Sequence, residues 1–126
     1  MDTIVFLNSL EKEFKNHSNH IIAKGQKAYM RNQFDFHGIV TSKRREIQKP
    51  LFKEYIKSLN PNLEQLTKTL WKKEQRDYQY TAQELILQYS HQFKIEDIHL
   101  FEFMIINKSW WDTIDFLSPK ILGEYL

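Results

Sequence analysis

Glycine and proline occur only three times each in the 126 residues, and no Asn-Gly or Asp-Gly pair is present to close a tight hairpin. Apolar residues recur at intervals of three and four rather than two, which is the period of amphipathic helices. Both features predict an all-α fold. Asp2 is placed to cap a first helix with Ile4, Leu7, Leu10 and Phe14 on its apolar side, ending near Asn16-His17-Ser18. Asn19 is placed to cap a second, carrying Ile22, Gln26, Tyr29 and Met30, before a break at Phe34-Asp35-Phe36-His37-Gly38. Gly25 lies in its middle, where glycine costs about 1 kcal/mol relative to alanine, and close packing against a neighbour is the expected reason for it. Thr41 or Ser42 is expected to cap a third helix with Ile47, Leu51, Phe52, Tyr55, Ile56 and Leu59 inward, kinked or broken at Pro50. Asn60-Pro61 supplies a cap and a first-turn proline for a fourth, which carries Leu63, Leu66, Leu70 and Trp71. A fifth is expected from about Gln75 to Ser90 on Tyr78, Ala82, Leu85 and Tyr89, and a sixth from about Ile95 to Ile106 on Ile98, Phe101, Met104 and Ile105. Ser109 and Ser118-Pro119 mark two further helix starts.

Helices of this length joined by short connections suit a bundle or a stack of helical pairs. The pairs 2–33, 42–73 and 75–106 are nearly evenly spaced, at the period of helical solenoids. A chain this short is expected to form a single domain. Its last helix carries Ile121, Leu122 and Tyr125 with nothing after Leu126 to cover them, so this end is expected to be cut short or to self-associate. The absence of cysteine excludes a disulfide framework, a thiol nucleophile and a thiolate zinc site. No apolar run approaches the ~20 residues that span a bilayer, and no signal segment follows Met1, so a cytoplasmic location and no membrane partner are expected.

The net charge of +2 permits a nucleic-acid partner without requiring one, so local clustering has to decide. Lys43, Arg44 and Arg45 fall in the first turn of the third helix, where cations oppose the helix dipole. A cluster placed there can hold a phosphate with charge and backbone amides together, or can simply be a solvated basic face. The second informative stretch is Lys108-Ser109-Trp110-Trp111-Asp112-Thr113-Ile114-Asp115. With Ser109 as N-cap, Asp112 completes an arrangement resembling a capping box, which leaves Asp115 without a structural task. On a helix, Trp110, Ile114 and Leu117 share one face, whereas Trp111 and Asp115 share another roughly 100° away. An indole beside a carboxylate in a groove suits a flat cation. The plainer alternatives are a second core tryptophan at 111, a surface pair of Asp115 with Lys108 or Lys120, and a core-edge tyrosine at 29. His17 and His20 have the spacing of two ligands on one turn, but no third partner is evident, so no metal and no cofactor are expected.

Three segments in order, Ala28-Tyr29-Met30-Arg31-Asn32-Gln33-Phe34, Phe36-His37-Gly38-Ile39-Val40-Thr41-Ser42-Lys43-Arg44-Arg45 and Lys108 to Asp115 followed by Gly123, resemble the DNA alkylation repair family of HEAT-like-repeat alkylpurine DNA glycosylases. The Lys-Ser-Trp-Trp-Asp-x-x-Asp string is the most specific of them. The resemblance implies a right-handed superhelix of helical repeats whose concave basic face holds double-stranded DNA. It also implies hydrolysis of the N-glycosidic bond of cationic N3- or N7-alkylated purines without flipping the base into a pocket. Carried over by the motif, Trp111 lies against the deoxyribose and lesion. Asp115 stabilises an oxocarbenium-like sugar and helps place the attacking water. Tyr29, Thr41, Lys43, Arg44, Arg45 and Lys108 fall where the family lines its cleft or meets the DNA backbone, with Arg44 and Arg45 as the phosphate contacts. The family fold continues for about as many repeats again, so residues 1–126 correspond to its N-terminal half. Its later cleft residues, a second tryptophan and an arginine, lie beyond Leu126. Relatives often carry a polar residue at the place of Val40 and a proline at that of Ser42. A different class of function compatible with the same residues is a catalytically silent helical-repeat scaffold that binds DNA or protein along its curved face.

Overall fold

The structure is a computed structural model, and it describes residues 2–59, 62–89 and 98–107. Those residues form six helices: α1 (Asp2–Asn16), α2 (His20–Tyr29), α3 (Thr41–Leu59), α4 (Leu63–Trp71), α5 (Arg76–Gln88) and α6 (Ile98–Ile106). Among the described residues there is no strand, only an isolated bridge between Asp35 and Gln75. No helix among them is long and apolar enough to cross a membrane. The expected Asn60-Pro61 cap, the Ser109 and Ser118 helix starts and the apolar C-terminal end lie outside the described residues.

α1 buries Phe6, Leu10 and Phe14, four residues apart. The expected stripe is therefore shifted: Ile4 is 62% exposed and Leu7 is half-buried. Ring area decides the rotation of the helix, because Phe6 stacks on Phe52 at 6.2 Å and meets Tyr55 edge-on at 6.0 Å. Asn19 caps α2 as expected, its Oδ1 accepting from the backbone N–H groups of Ile21 and Ile22, both at 3.0 Å. At the other end the Asn32 N–H reaches Lys27 O at 2.8 Å and the Arg31 N–H reaches Ala28 O at 3.0 Å. These are the paired bonds of a Schellman ending, with Arg31 (φ 55°) and Asn32 (φ 61°) in the left-handed region. α2 has no fully buried residue, and Met30, just past its end, turns inward.

The two described glycines for which a role can be weighed differ in kind. A Cβ at Gly25 would meet nothing within 4 Å, so close packing is not the reason for glycine there. Gly38 has φ +89°, and a Cβ on it would lie 1.9 Å from the backbone oxygen of Asn19. The backbone of the 35–40 segment thus presses directly on the start of α2, where the Asn19 N–H also donates to His37 O at 3.0 Å.

The carbonyl of Val40 accepts the first bond of α3, from the Arg44 N–H at 2.9 Å. Thr41 and Ser42 consequently sit inside the first turn rather than at the cap. The helix runs unbroken through Pro50, losing one amide bond there instead of stopping. α3 lies between α1 and α5, and α4 packs on α5. The first helices of the three successive pairs therefore form one row, an arrangement consistent with an α-helical repeat fold. One core joins the row to α4 and α6 through Phe52, Leu59, Leu66, Leu70, Trp71, Leu85, Ile86, Phe101 and Met104. Two polar atoms inside it are satisfied by the backbone. The Trp71 indole N–H donates to Asn107 O, and the Tyr89 hydroxyl donates to Ile56 O.

Candidate functional site

The end of α2, the start of α3 and the middle of α5 enclose a depression of about 340 Å³. Tyr29, Thr41, Arg44 and Arg45 line it together with Gln26, Phe36, Tyr80 and Glu84. Four of the residues singled out in the sequence, drawn from two separate segments, thus meet in one place. Tyr29 stands at its edge, 71% exposed. Lys43 is outside the lining, with its ammonium 3.4 Å from Glu46.

Glu84 organises the polar wall. Arg44 Nη2 and Arg45 Nε both donate to its Oε2, at 2.8 and 2.9 Å, while Gln48 Nε2 donates to its Oε1 at 2.7 Å. Burial alone would raise the Glu84 carboxyl, but the Arg44 charge and the hydrogen bonds from Arg44, Gln48 and Arg45 hold it below the usual carboxylate range. The two arginines differ sharply. The Arg44 side chain is 6% exposed and also donates through Nε to Gln48 Oε1 at 3.2 Å, whereas that of Arg45 is 60% exposed. Arg44 is committed to the wall, and Arg45 is the guanidinium presented to solvent.

Behind the wall, cations and rings alternate. The Arg44 guanidinium lies 5.1 Å from the centre of the Tyr80 ring, and the fully buried Arg76 lies 5.5 Å from the same ring. Arg76 is also 4.0 Å from Phe34 and 5.9 Å from Trp71. A guanidinium packed over ring faces keeps a favourable electrostatic environment where water cannot reach it.

Arg45 and Glu84 also belong to a larger groove of about 710 Å³ between α3 and α5. Its apolar sides are Phe52, Ile56 and Leu87, and its basic rim is Arg45, Lys49 and Lys53. Lys49 and Lys53 were absent from the residues picked out above. The signal was present, since positions 45, 49 and 53 are spaced by four and share one helix face. The depression and the groove therefore meet at Arg45 and Glu84, and cations continue outward from that junction along α3.

His37 was given no role by the sequence, yet it anchors the connection that shapes the depression. Ser18 spends its only hydroxyl proton on Phe14 O at 2.8 Å, so it accepts from His37 Nδ1 at 3.1 Å. In the neutral ring, which burial favours, Nε2 is then the acceptor for the Tyr78 hydroxyl at 2.9 Å. The His37 backbone N–H donates to Asp77 Oδ1 at 2.7 Å. Burial is the main force lowering the His37 pKa, helped by Lys15 and opposed by Asp77 and Glu11. Burial likewise pushes the Asp77 carboxyl up, against the hydrogen bond from the His37 backbone.

Trp111, Asp115 and Lys108 lie outside the described residues. Among the described residues no cluster of three His, Cys, Asp or Glu side chains could hold a metal ion.

The DNA alkylation repair enzyme family matches residues 10–126. Among solved structures, a predicted DNA alkylation repair enzyme from Enterococcus faecalis is similar at 31% identity and a TM-score of 0.75, over 86% of this chain and 53% of that one. The chain spans about half the length of that relative. No curated protein matches it. With the family matched over nearly the whole chain and the helical architecture shared with a solved relative, the chain belongs to the DNA alkylation repair enzyme family.

Proposed function

We propose that this chain is the N-terminal helical-repeat domain of a DNA repair glycosylase. It grips alkylated duplex DNA and hydrolyses the N-glycosidic bond of cationic N3- or N7-alkylated purines. The observation that carries the reading is the junction at Arg45, where an aromatic-edged depression opens into a groove rimmed by Arg45, Lys49 and Lys53. A line of cations beside a concave surface is the footprint of a phosphate backbone. In this reading Arg45, Lys49 and Lys53 meet phosphates, Arg44 shapes the wall, and Tyr29 and Thr41 border the strand. Trp111 supplies an aromatic surface against the sugar and lesion. Asp115 supplies negative charge where the sugar becomes positive and orients water for attack at the anomeric carbon. A base that is already cationic leaves without an acid to protonate it, so the reaction requires neither metal nor cofactor from the protein.

The test is release of methylated purine from alkylated duplex DNA by this chain and by a form extended to the length of the matched relative. Release that disappears with Asp115→Asn supports the reading, and no release from either form overturns it. A second reading, which the line of cations at Arg45, Lys49 and Lys53 supports equally, is a silent scaffold that holds DNA along that groove. It predicts equal binding of damaged and intact duplex, indifferent to Asp115.

A further inference from the structure

We infer that Glu84 is a positioning residue that restrains Arg45 in the unliganded protein and releases it to a DNA phosphate, making the carboxylate an internal competitor for the same guanidinium. The inference rests on the DNA-binding reading above. Its basis is the asymmetry of two arginines bonded to one oxygen. Arg44 is buried, bonded to Gln48 as well as Glu84, and packed on Tyr80. Withdrawing it would strand a charge inside the protein. Arg45 is 60% exposed and is tied to Glu84 through Nε, the stem end of its guanidinium. When Arg45 swings away, Glu84 Oε2 keeps Arg44 and Oε1 keeps Gln48, so no buried acceptor is orphaned. Glu84 is only 12% exposed, but the Arg45 end of the pair is open to water and screened, whereas a phosphate offers a charge-assisted bond and releases counterions. The position completes the argument. Arg45 and Glu84 are the residues that line both the depression and the groove together, so the exchange occurs where the two surfaces join.

The restraint makes a lone phosphate a poor ligand and favours one already held by Lys49 and Lys53. Glu84 thereby separates a seated duplex from a passing anion.

The experiment measures binding of a labelled, unmodified DNA duplex over a range of salt for wild type, Glu84→Gln, Arg45→Gln and the double variant. Glu84→Gln is expected to tighten binding roughly two- to fivefold, the size of a pair with one water-exposed partner. Arg45→Gln is expected to weaken binding by a larger factor in the Glu84→Gln background than in wild type, and to lower the salt slope by about 0.9. Equal effects of Arg45→Gln in both backgrounds, or no tightening by Glu84→Gln, overturn the inference while leaving DNA binding intact. No duplex binding by wild type or any variant overturns the functional reading and this one with it. If Glu84→Gln does not fold, the wild type decides by nuclear magnetic resonance. The Arg45 Nε–H signal should move on duplex addition while that of Arg44 stays, and a stationary Arg45 signal or a joint shift of both rules the exchange out.

Discussion

His37 Nε2 lies 2.9 Å from the phenol oxygen of Tyr78, 41 residues further along the chain, and in the neutral ring it accepts a hydrogen bond from that hydroxyl. Nδ1 donates to Ser18, so that direction holds in the neutral imidazole, the form that burial favours.

Stability should therefore depend on the His37 proton. Its folded pKa is lowered from 6.5 by burial, so the unfolded chain binds the proton more readily. The contribution is fully present above about pH 6.5 and is lost as pH falls from there toward the lowered folded value. Thermal melts should show Tm of wild type falling as pH is lowered below about 6.5. His37→Asn should melt lower at neutral pH and with a flatter profile across that window. A variant profile parallel to wild type would assign the dependence to other groups.

The glycines at 25 and 38 should respond in opposite directions. A methyl group at 25 meets open space on an exposed helical face. Gly25→Ala should stabilise by about 0.4–1 kcal/mol, mainly by narrowing the unfolded ensemble. At 38 the same methyl collides with the Asn19 carbonyl and φ is +89°. Gly38→Ala should destabilise by about 3 kcal/mol or more, read from urea unfolding midpoints.

The rim lysines should act on affinity alone. Lys49 and Lys53 are exposed, so their alanine variants should stay within about 0.5 kcal/mol of wild-type stability. Each should weaken duplex binding by a similar factor on any sequence and reduce the dependence of log K on log salt by about 0.9. A sequence-dependent loss would mean that the side chain reaches a base edge instead.

Catalysis should separate from binding at Asp115. Asp115→Asn is expected to slow purine release by about 10²-fold or more, as removal of one electrostatic stabiliser does elsewhere. Binding of intact duplex should change less than about twofold, since in the proposed reaction the charge acts only where the sugar becomes positive. Equal losses in both measurements would make Asp115 a binding residue.

Much of this architecture was legible from periodicity. The cap at Asn19 and the inward faces of α4 and α5 follow from local rules, and the structure has Tyr78, Ala82, Leu85 and Tyr89 buried as spaced. α1 was mis-rotated because a 3.6-residue pattern does not say that Phe6 finds two aromatic partners 46 and 49 residues away, at Phe52 and Tyr55. The start of α3 was misjudged for a related reason: a backbone carbonyl with an apolar side chain, that of Val40, began the helix where hydroxyls were available. At the candidate site, composition showed a run of cations but not which one faces water. That depends on Glu84, some 40 residues later, and on the rotation of α5. The Lys49 and Lys53 rim could have been found by extending the run in steps of four.

Arg76 gives the first two family segments a common anchor. Its guanidinium touches Phe34, the last residue of the first segment, and the Tyr80 ring against which Arg44 of the second segment rests. It also neighbours the Trp71 indole, which holds Asn107 at the end of α6. Replacing it with lysine would keep the charge but remove the flat surface that all three rings share. Stretches separated by up to some seventy residues would then lose their alignment together, so that damage at a point no ligand reaches would be felt as blurred recognition on the outside.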